Sequence, residues 1–438
     1  MTRRGLLVLL MFLLVGLGGE VRSQETIKIM QYNLLYYGKN TNNCTSVSNY
    51  IVEKNRNLKT IIKYVKPDIF SVNELDGQGV HPETHDAQYL LDNALNVDGV
   101  DYYRKTEFQR TYLANTLFYN SNKLILKSHT PIVTYNGGYQ KIFNVYTFYF
   151  NSRDLATTND TAYFSCLVAH LKAGSYSDNQ QQRVREADKI MQYYESLGRE
   201  GNYLLMGDFN VYSASEQAFQ KFINPENTQY RFHDPVNQLG NWSKNQTYRN
   251  YHTQSTHTGG DCFSGGGMDD RFDFILASSY IMNGTQHYSY VDDSYKAIGQ
   301  DGSYFNRALN TSTNSTISSN VAHALYNMSD HLPVYMEMQV DQNLGEPVDV
   351  YNPYNNRVEV KYNNPVDDNL NLNIEGLNSD QIFVQFVSMQ GVIVYSNNFK
   401  CSNNVEFNIP LNDLSAGMYI LQIKTRDNLI YNDKLLVK

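Results

Sequence analysis

Carboxylates, carboxamides and imidazoles recur along this chain at the ends of apolar runs. The densest instance is Tyr203-Leu204-Leu205-Met206-Gly207-Asp208-Phe209-Asn210, where a run that reads as a buried strand stops at Gly-Asp-Phe-Asn. A carboxylate and a carboxamide two positions apart are thereby delivered where the strand leaves the core. An Asx turn accounts for these four residues taken alone. It does not account for their company: Asn33, Glu74, His170, Asp273 and the pair Asp330-His331 also fall at or near apolar runs.

The set suits hydrolysis of a phosphodiester, which needs a cation on the phosphoryl oxygens, a water that loses a proton as it attacks in line, and a stabilised leaving oxygen. A hard divalent ion such as Mg²⁺ uses one or two carboxylates and keeps most of its waters. Glu74 suits the primary ligand, with Asn33 and Asp330 nearby. A general base works best with a pKa near the working pH, which favours His331, and Asp273 is the anionic partner its imidazolium would need. Asp208 is then left to orient or polarise the attacking water, Asn210 to hold a phosphate oxygen, and His170 to donate to another phosphate oxygen or the leaving group.

The elements that must carry these groups alternate between strand and helix. Ile27 to Asn33 alternates roughly as a half-buried strand. Leu58, Ile61, Ile62 and Val65 follow at helical spacing, closed by Pro67, and Ile69 to Asn73 delivers Glu74. Further strands are expected at Thr116 to Tyr119, Phe143 to Phe150, Tyr163 to Ala169 and Phe272 to Leu276, and a final one at Val334 to Met338. Gln181 to Tyr194 reads as a helix feeding the Tyr203 strand, and Ser213 to Glu216 has capping-box spacing for another. Asn224 to Gly267 reads as a long polar surface segment near the crevice mouth, and a second polar insert spans roughly Asn283 to Asn327.

With 438 residues the chain is long enough for one large domain and an appendage. A formal charge of -8 argues against a binder that relies on many Lys/Arg-phosphate contacts, though not against an enzyme that meets phosphate through a metal ion. Residues 1–23, with Arg3 and Arg4 before the apolar run Leu6 to Leu17, read as a secretory signal peptide. No later stretch is apolar enough for a stable membrane span. The four cysteines lack metal-site spacing; Cys166 is expected to be a buried thiol, and a Cys44-Cys262 bridge is possible in an oxidising compartment. From about Asp341 the texture changes to Asn-rich, Pro-bearing segments and short strand-like runs, which suggests a small all-β module.

Gln31-Tyr32-Asn33, Asn73-Glu74-Leu75, His170-Leu171-Lys172-Ala173-Gly174, Gly207-Asp208-Phe209-Asn210, Arg271-Phe272-Asp273-Phe274-Ile275-Leu276 and Ser329-Asp330-His331-Leu332-Pro333 resemble the successive motifs of the endonuclease/exonuclease/phosphatase superfamily. Its members include deoxyribonuclease I, apurinic endonucleases, bacterial sphingomyelinases and inositol polyphosphate 5-phosphatases. The resemblance, over roughly Thr26 to Val340, implies an α/β fold, a four-layer α/β sandwich of two packed mixed sheets flanked by helices. It also implies a Mg²⁺-dependent phosphoesterase, with Mn²⁺ or Ca²⁺ as alternatives. The implied roles place Glu74 and Asn33 near the metal, Asp330 as a metal or second-metal ligand, His170 and Asn210 on the phosphate, Asp208 with the attacking water, and Asp273-His331 as an acid/base pair. Arg271 is expected to bind substrate; whether Asp208 or His331 is the base stays open. One departure concerns His170, which deoxyribonuclease-like members support with a glutamate. The matching stretch Thr111 to Thr116 has no carboxylate, so Tyr112 or Asn115 is left as a substitute partner, or His170 only binds phosphate.

Tyr362-Asn363-Asn364-Pro365-Val366, Gly391, Gly417-Met418-Tyr419-Ile420-Leu421 and the ending Lys434-Leu435-Leu436-Val437-Lys438 resemble the C-terminal sorting module of the Bacteroidetes type IX secretion system, with Asn363 where that pattern has proline. The expected plan is a signal peptide (1–23), a catalytic domain (24–340), a linker (341–360) and a β-rich sorting domain (361–438), in a monomer exported through the periplasm to the cell surface or medium. The leading function is a secreted nuclease, with Tyr248, Tyr251, Tyr288 and Tyr290 available to stack on bases. Alternatives are a phospholipid or sphingomyelin phosphodiesterase, an inositol-phosphate phosphatase, and a catalytically silent surface binder. The single Trp242 sits in a polar context, which disfavours a lipid-binding hairpin.

Overall fold

The computed structural model describes residues 24–41, 43–78, 86–157, 160–342, 344, 359–375, 381–388, 392–401, 404–412, 414–424 and 429–438. The expected signal peptide, most of the expected linker, and Gly391 lie outside them. The chain divides into two compact units near residue 348. Among the described residues no helix is long and apolar enough to cross a membrane.

In the first unit the elements run β1 (Gln24–Tyr37), α1 (Ile51–Val65), β2 (Ile69–Asp76), α2 (Ala87–Leu90), β3 (Tyr103–Lys105), β4 (Leu113–Asn120), β5 (Leu124–Asn136), β6 (Tyr139–Phe150), β7 (Tyr163–His170), α3 (Ser177–Ser196), β8 (Tyr203–Asp208), α4 (Gln217–Ile223), β9 (Phe232–His233), β10 (Asp273–Ser278), α5 (Ser279–Asn283), β11 (Tyr288–Tyr290), β12 (Lys296–Ala297), α6 (Ser319–Met328) and β13 (Val334–Asp341). One sheet has the order β11-β13-β1-β2-β4-β3 with β12 also on β13, and the other β5-β6-β7-β8-β10-β9. Both are mixed: β1 runs parallel to β2 and antiparallel to β13, and β8 parallel to β7 and antiparallel to β10.

Strands covered on both faces can be apolar at successive positions, and alternation then decides which layer each side chain enters. In β1, Ile27 and Ile29 join Ile69, Val168, Leu204, Met206 and Ile275 between the sheets. Met30, Tyr32 and Leu34 face α1 and α6 through Leu58, Ile61 and Leu325. In β8, Tyr203 and Leu205 face α3 and α4 through Ile190 and Phe219. Four layers result, as the family resemblance implies.

Three local expectations need correction. The Ser213 to Glu216 capping box does not form; the helix begins at Gln217 without a side-chain cap, because the Glu216 carboxylate accepts from the Tyr212 backbone N–H (2.8 Å) and from Arg183 (2.7 Å). The insert Asn283 to Asn327 is not wholly irregular, since it contains α6, whose Val321, Ala324, Leu325 and Met328 are buried at helical spacing. Trp242 is fully buried against Phe219 and Phe274, with its indole N–H donating to the Gln238 carbonyl (2.7 Å).

The second unit is all β. Its strands are β14 (Glu359–Tyr362), β15 (Asn369–Glu375), β16 (Gln381–Ser388), β17 (Ile393–Lys400), β18 (Asn404–Pro410), β19 (Gly417–Lys424) and β20 (Leu429–Val437). They form sheets ordered β14-β15-β18 and β17-β16-β19-β20 around Leu372, Ile374, Val384, Phe386, Leu421 and Ile423.

Candidate active site

The polar cluster continues the layer between the sheets. The positions that carry Ile27 and Ile29 in β1, Ile69 in β2, Val168 in β7, Met206 in β8 and Ile275 in β10 lead, two residues at a time, to Asn33, Asn73, His170, Asp208 and Asp273. The inter-sheet layer thus turns from hydrocarbon to amide, imidazole and carboxylate at one edge. Hydrogen bonds couple the two sheets there: Asn73 Oδ1 accepts from Gln31 Nε2 (2.6 Å) and from the Asp208 backbone N–H (2.9 Å), while Asn33 Nδ2 donates to Asp208 Oδ2 (3.0 Å). Gly207 has φ 148°, and a β-carbon there would overlap the Ala169 carbonyl of β7, so only glycine lets the strands approach. Glu74 and Asn210 lie in the left-handed region (φ 59° and 52°), the kind of backbone conformation that clusters at functional sites.

Glu74, His170 and Asp208 offer ligand atoms that all lie within 4.8 Å of one another. His170 Nε2 is 3.6 Å from Asp208 Oδ2 and 3.9 Å from Glu74 Oε1. Asn33 Nδ2 also donates to Glu74 Oε1 (3.1 Å), so one carboxamide holds both carboxylates, while its Oδ1 accepts from the Leu35 backbone N–H (2.9 Å). His331 Nδ1 lies 2.7 Å from the buried Asp273 Oδ2, and its Nε2 faces Asp208 Oδ2 at 3.8 Å. Ser329 fixes this segment, its hydroxyl donating to the Asn33 carbonyl (2.7 Å) and accepting from the His331 backbone N–H (3.1 Å). Asp208 Oδ1 accepts from the Asn210 N–H (3.0 Å). The open part of the crevice measures about 370 Å³.

Burial and like charge set the protonation pattern. Burial raises the Glu74 carboxyl, and the Asp330 charge adds to it. Burial pushes Asp208 up to about 7, opposed by His331 and reinforced by Asp273 and Glu74. Burial alone would push His331 down, but the charge and hydrogen bond of Asp273 outweigh it and carry the imidazole well above its ordinary range. Burial, with Lys141 next, drives His170 well below, so it is a neutral imidazole suited to donating one N–H to a phosphate oxygen or to ligating a cation.

The crowded carboxylates of Glu74 and Asp208 call for a cation, and among the described residues the buried Oδ1 of Asp330 has no hydrogen-bond partner. The donors present fit a divalent ion: carboxylate oxygens of Glu74 and Asp208 with the His170 imidazole, and the free oxygen of Asp330 close by. An ion bound through Asp208 must displace a proton below about pH 7. The apparent affinity for Mg²⁺ or Mn²⁺ is therefore expected to fall roughly tenfold per pH unit below that point and to level off above it. Calorimetric titration at about pH 6 and about pH 8 checks this, and equal affinities would place the ion away from Asp208.

Of the residues singled out in the sequence, Asn33, Glu74, His170, Asp208, Asn210, Asp273, Asp330 and His331 converge at this edge. Arg271 does not. It is 1% exposed, and its guanidinium forms a two-pronged pair with Asp234 (2.8 and 2.7 Å), so it braces the base of β10 and is unavailable to substrate. Neither Tyr112 nor Asn115 supports His170: Tyr112 pairs with Thr41, and Asn115 bridges Asn73 and the Ile142 carbonyl. Tyr288 is fully buried, its hydroxyl donating to the Ala162 carbonyl (3.0 Å), and cannot stack on a base.

Sequence reasoning passed over Gln254 and Lys54. The Gln254 carboxamide nitrogen lies 2.7 Å from His331 Nε2 and 3.3 Å from Asp330 Oδ2, and the Ser264 N–H also donates to that oxygen (3.0 Å). The loop carrying Ser264 is tied by a Cys44–Cys262 disulfide to the segment after β1. Lys54, 3% exposed on α1, donates to the carbonyls of Leu34 (2.6 Å), Leu35 (2.8 Å) and Met328 (2.9 Å). It thereby pins the strand end bearing Asn33 to the turn bearing Asp330, although burial lowers its pKa to about 7. Lys54→Met is expected to lower stability by roughly 3 kcal/mol, because three buried carbonyls lose their donor. A urea midpoint equal to that of the parent would refute the brace.

Two sheets packed face to face, edged by this cluster, define a phosphoesterase architecture. Residues 30–331 match the Endonuclease/Exonuclease/phosphatase family, and residues 352–438 match the Secretion system C-terminal sorting domain. The chain belongs to the Endonuclease/Exonuclease/phosphatase family, whose members hydrolyse phosphoric esters, and its C-terminal unit marks it for export to the cell surface or medium. Similar solved structures include an Endonuclease/Exonuclease/phosphatase family protein from Bacteroides thetaiotaomicron (15% identity, 74% of this chain and 99% of that one, TM-score 0.44). Others are the human Nocturnin catalytic domain with bound sulfate (14%, 72% and 97%, TM-score 0.42) and a humanized D. rerio TDP2 (15%, 72% and 98%, TM-score 0.44). No curated protein matches the chain.

Proposed function

We propose that the chain is a secreted, divalent-metal-dependent nuclease that hydrolyses extracellular DNA or RNA by in-line attack of water. What carries the reading is the His331-Asp273 pair at 2.7 Å, which turns Nε2 toward the Gln254 carboxamide (2.7 Å) and Asp208 (3.8 Å) on the crevice wall. A divalent cation held by the carboxylates of Glu74 and Asp208, with Asp330 close by, would neutralise charge on the phosphoryl oxygens, while Asn33, whose Nδ2 donates to both carboxylates, positions them and is not itself a ligand. His331 Nε2 accepts the proton from the attacking water in the fraction of molecules whose imidazole is neutral. Its raised pKa keeps that fraction small near neutral pH, and the fraction grows as the pH rises; Asp273 stabilises the imidazolium that forms. Asp208, 3.8 Å from that nitrogen, orients the water. Neutral His170 donates to one phosphate oxygen and Asn210 to another. The burial of Trp242 removes the one residue that a lipid-inserting hairpin would display.

Incubation of the purified mature protein with plasmid DNA, RNA and sphingomyelin, with and without EDTA, tests the reading. EDTA-sensitive cleavage of nucleic acid is expected; cleavage of sphingomyelin alone would overturn it.

A further inference from the structure

Two further hollows adjoin the catalytic crevice. On the His170 side a groove of about 400 Å³ shares His170 and Ala173 with the crevice and is lined by Tyr112, Tyr139, Lys141 and Lys172. On the other side a hollow of about 570 Å³ shares Tyr212 with the crevice and is lined by Gln180, Gln181, Gln217 and Asn241 with three serines. The reacting phosphate, held at Asn210 and His170, would lie between the two.

Their chemistries differ. In the groove Tyr112 and Tyr139 are 52% and 82% exposed; other tyrosines are as exposed, but these two line one groove that opens on the catalytic crevice. Lys39 lies over the Tyr112 ring at 4.1 Å but is paired with Asp76 (3.1 Å), and Lys141 with Glu186 (3.4 Å), so the charge offered to a phosphate is that of Lys172, beside His170. Exposed rings beside lysines fit bases that stack while the connecting phosphates meet positive charge. The hollow beyond Tyr212 has one ionisable wall residue besides Tyr212 itself, Glu216, and Arg183 neutralises it at 2.7 Å. Apart from Val184, what remains is carboxamide and hydroxyl, groups that both donate and accept, which suits the edge of a base or a sugar better than a second phosphate.

We propose that the crevice is the middle of a three-part tract for a single polynucleotide strand. Bases stack along Tyr112 and Tyr139 on one side of the scissile phosphate, and the adjoining nucleotide hydrogen-bonds at Gln181 and Asn241 on the other. The proposal rests on the nuclease reading and extends it: with chain held on both sides, the enzyme cuts within a strand and needs unpaired bases.

The test has two arms. Binding of a fluorescent single strand of about 10 nucleotides is followed by anisotropy in EDTA, where no cleavage occurs, for the parent, Tyr112→Ala/Tyr139→Ala and Gln181→Ala/Asn241→Ala. Cleavage of the same strand, and of bis(4-nitrophenyl) phosphate, is then followed with Mg²⁺. Removing both rings is expected to weaken strand binding roughly tenfold per ring, about a hundredfold in the double variant, and to raise KM for the strand by a similar factor relative to its effect on the small diester. The second variant is expected to shift the cut positions along the strand. Binding, KM and cut positions all equal to those of the parent would overturn the tract while leaving the nuclease reading intact, as would release of terminal nucleotides only. A parent protein that hydrolyses the small diester but no nucleic acid would overturn both.

Discussion

His331→Ala lowers phosphodiester turnover by roughly 10²- to 10⁴-fold while the chain still folds. The expectation follows from two contacts of one ring. Nδ1 is fixed by Asp273 at 2.7 Å, which sets the ring's orientation and leaves Nε2 as the nitrogen facing Asp208 and the crevice. Alanine removes the proton acceptor and, with it, the charge that opposes the rise of Asp208 and Glu74. Asp273 loses the partner of its Oδ2, so some loss of stability is expected alongside the loss of turnover. Turnover is therefore compared per folded protein, with circular dichroism as the measure of folding. Unchanged turnover would take the base role from His331 and leave Asp208, raised to about 7, as the group to test next.

Glu74→Gln is expected to raise the Mg²⁺ concentration needed for half-maximal activity by at least about tenfold, since even partners one layer behind a ligand change metal affinity by 10- to 100-fold. The substitution preserves shape. Asn33 Nδ2 can still donate to a side-chain oxygen at this position, and the strained backbone at φ 59° stays as it is. What is lost is one negative charge in a cluster whose remaining members are Asp208 and Asp330. An unaltered metal titration would show that the cation is held by those two alone.

The groups that meet at the crevice were legible because a strand end announces itself. An apolar run that stops at Gly-Asp-Phe-Asn, or at Asn73-Glu74, says where a polar side chain leaves the core, and alternation then says which layer it enters. The four-layer arrangement came from the resemblance of those motifs, because spacing alone does not say how two sheets pack. Gln254 and Lys54 carried no such signal. Gln254 acquires its place only when its segment folds against His331, 77 positions later in sequence, and Lys54 only when α1 meets the turn after α6. Arg271 misled for the converse reason: its partner Asp234 is 37 residues earlier, so a charge beside Asp273 read as a substrate contact. The helix Ser319–Met328 was readable from its spacing but was hidden by the polar residues around it.

The Cys44–Cys262 bridge joins segments 218 residues apart, and Ser264, two positions past the second cysteine, holds Asp330. Such a bond does not persist in the reducing cytosol where the chain is made. Maturation and export are thereby coupled: on the nuclease reading the crevice is finished only after the protein has left the compartment that contains the producing cell's own genome.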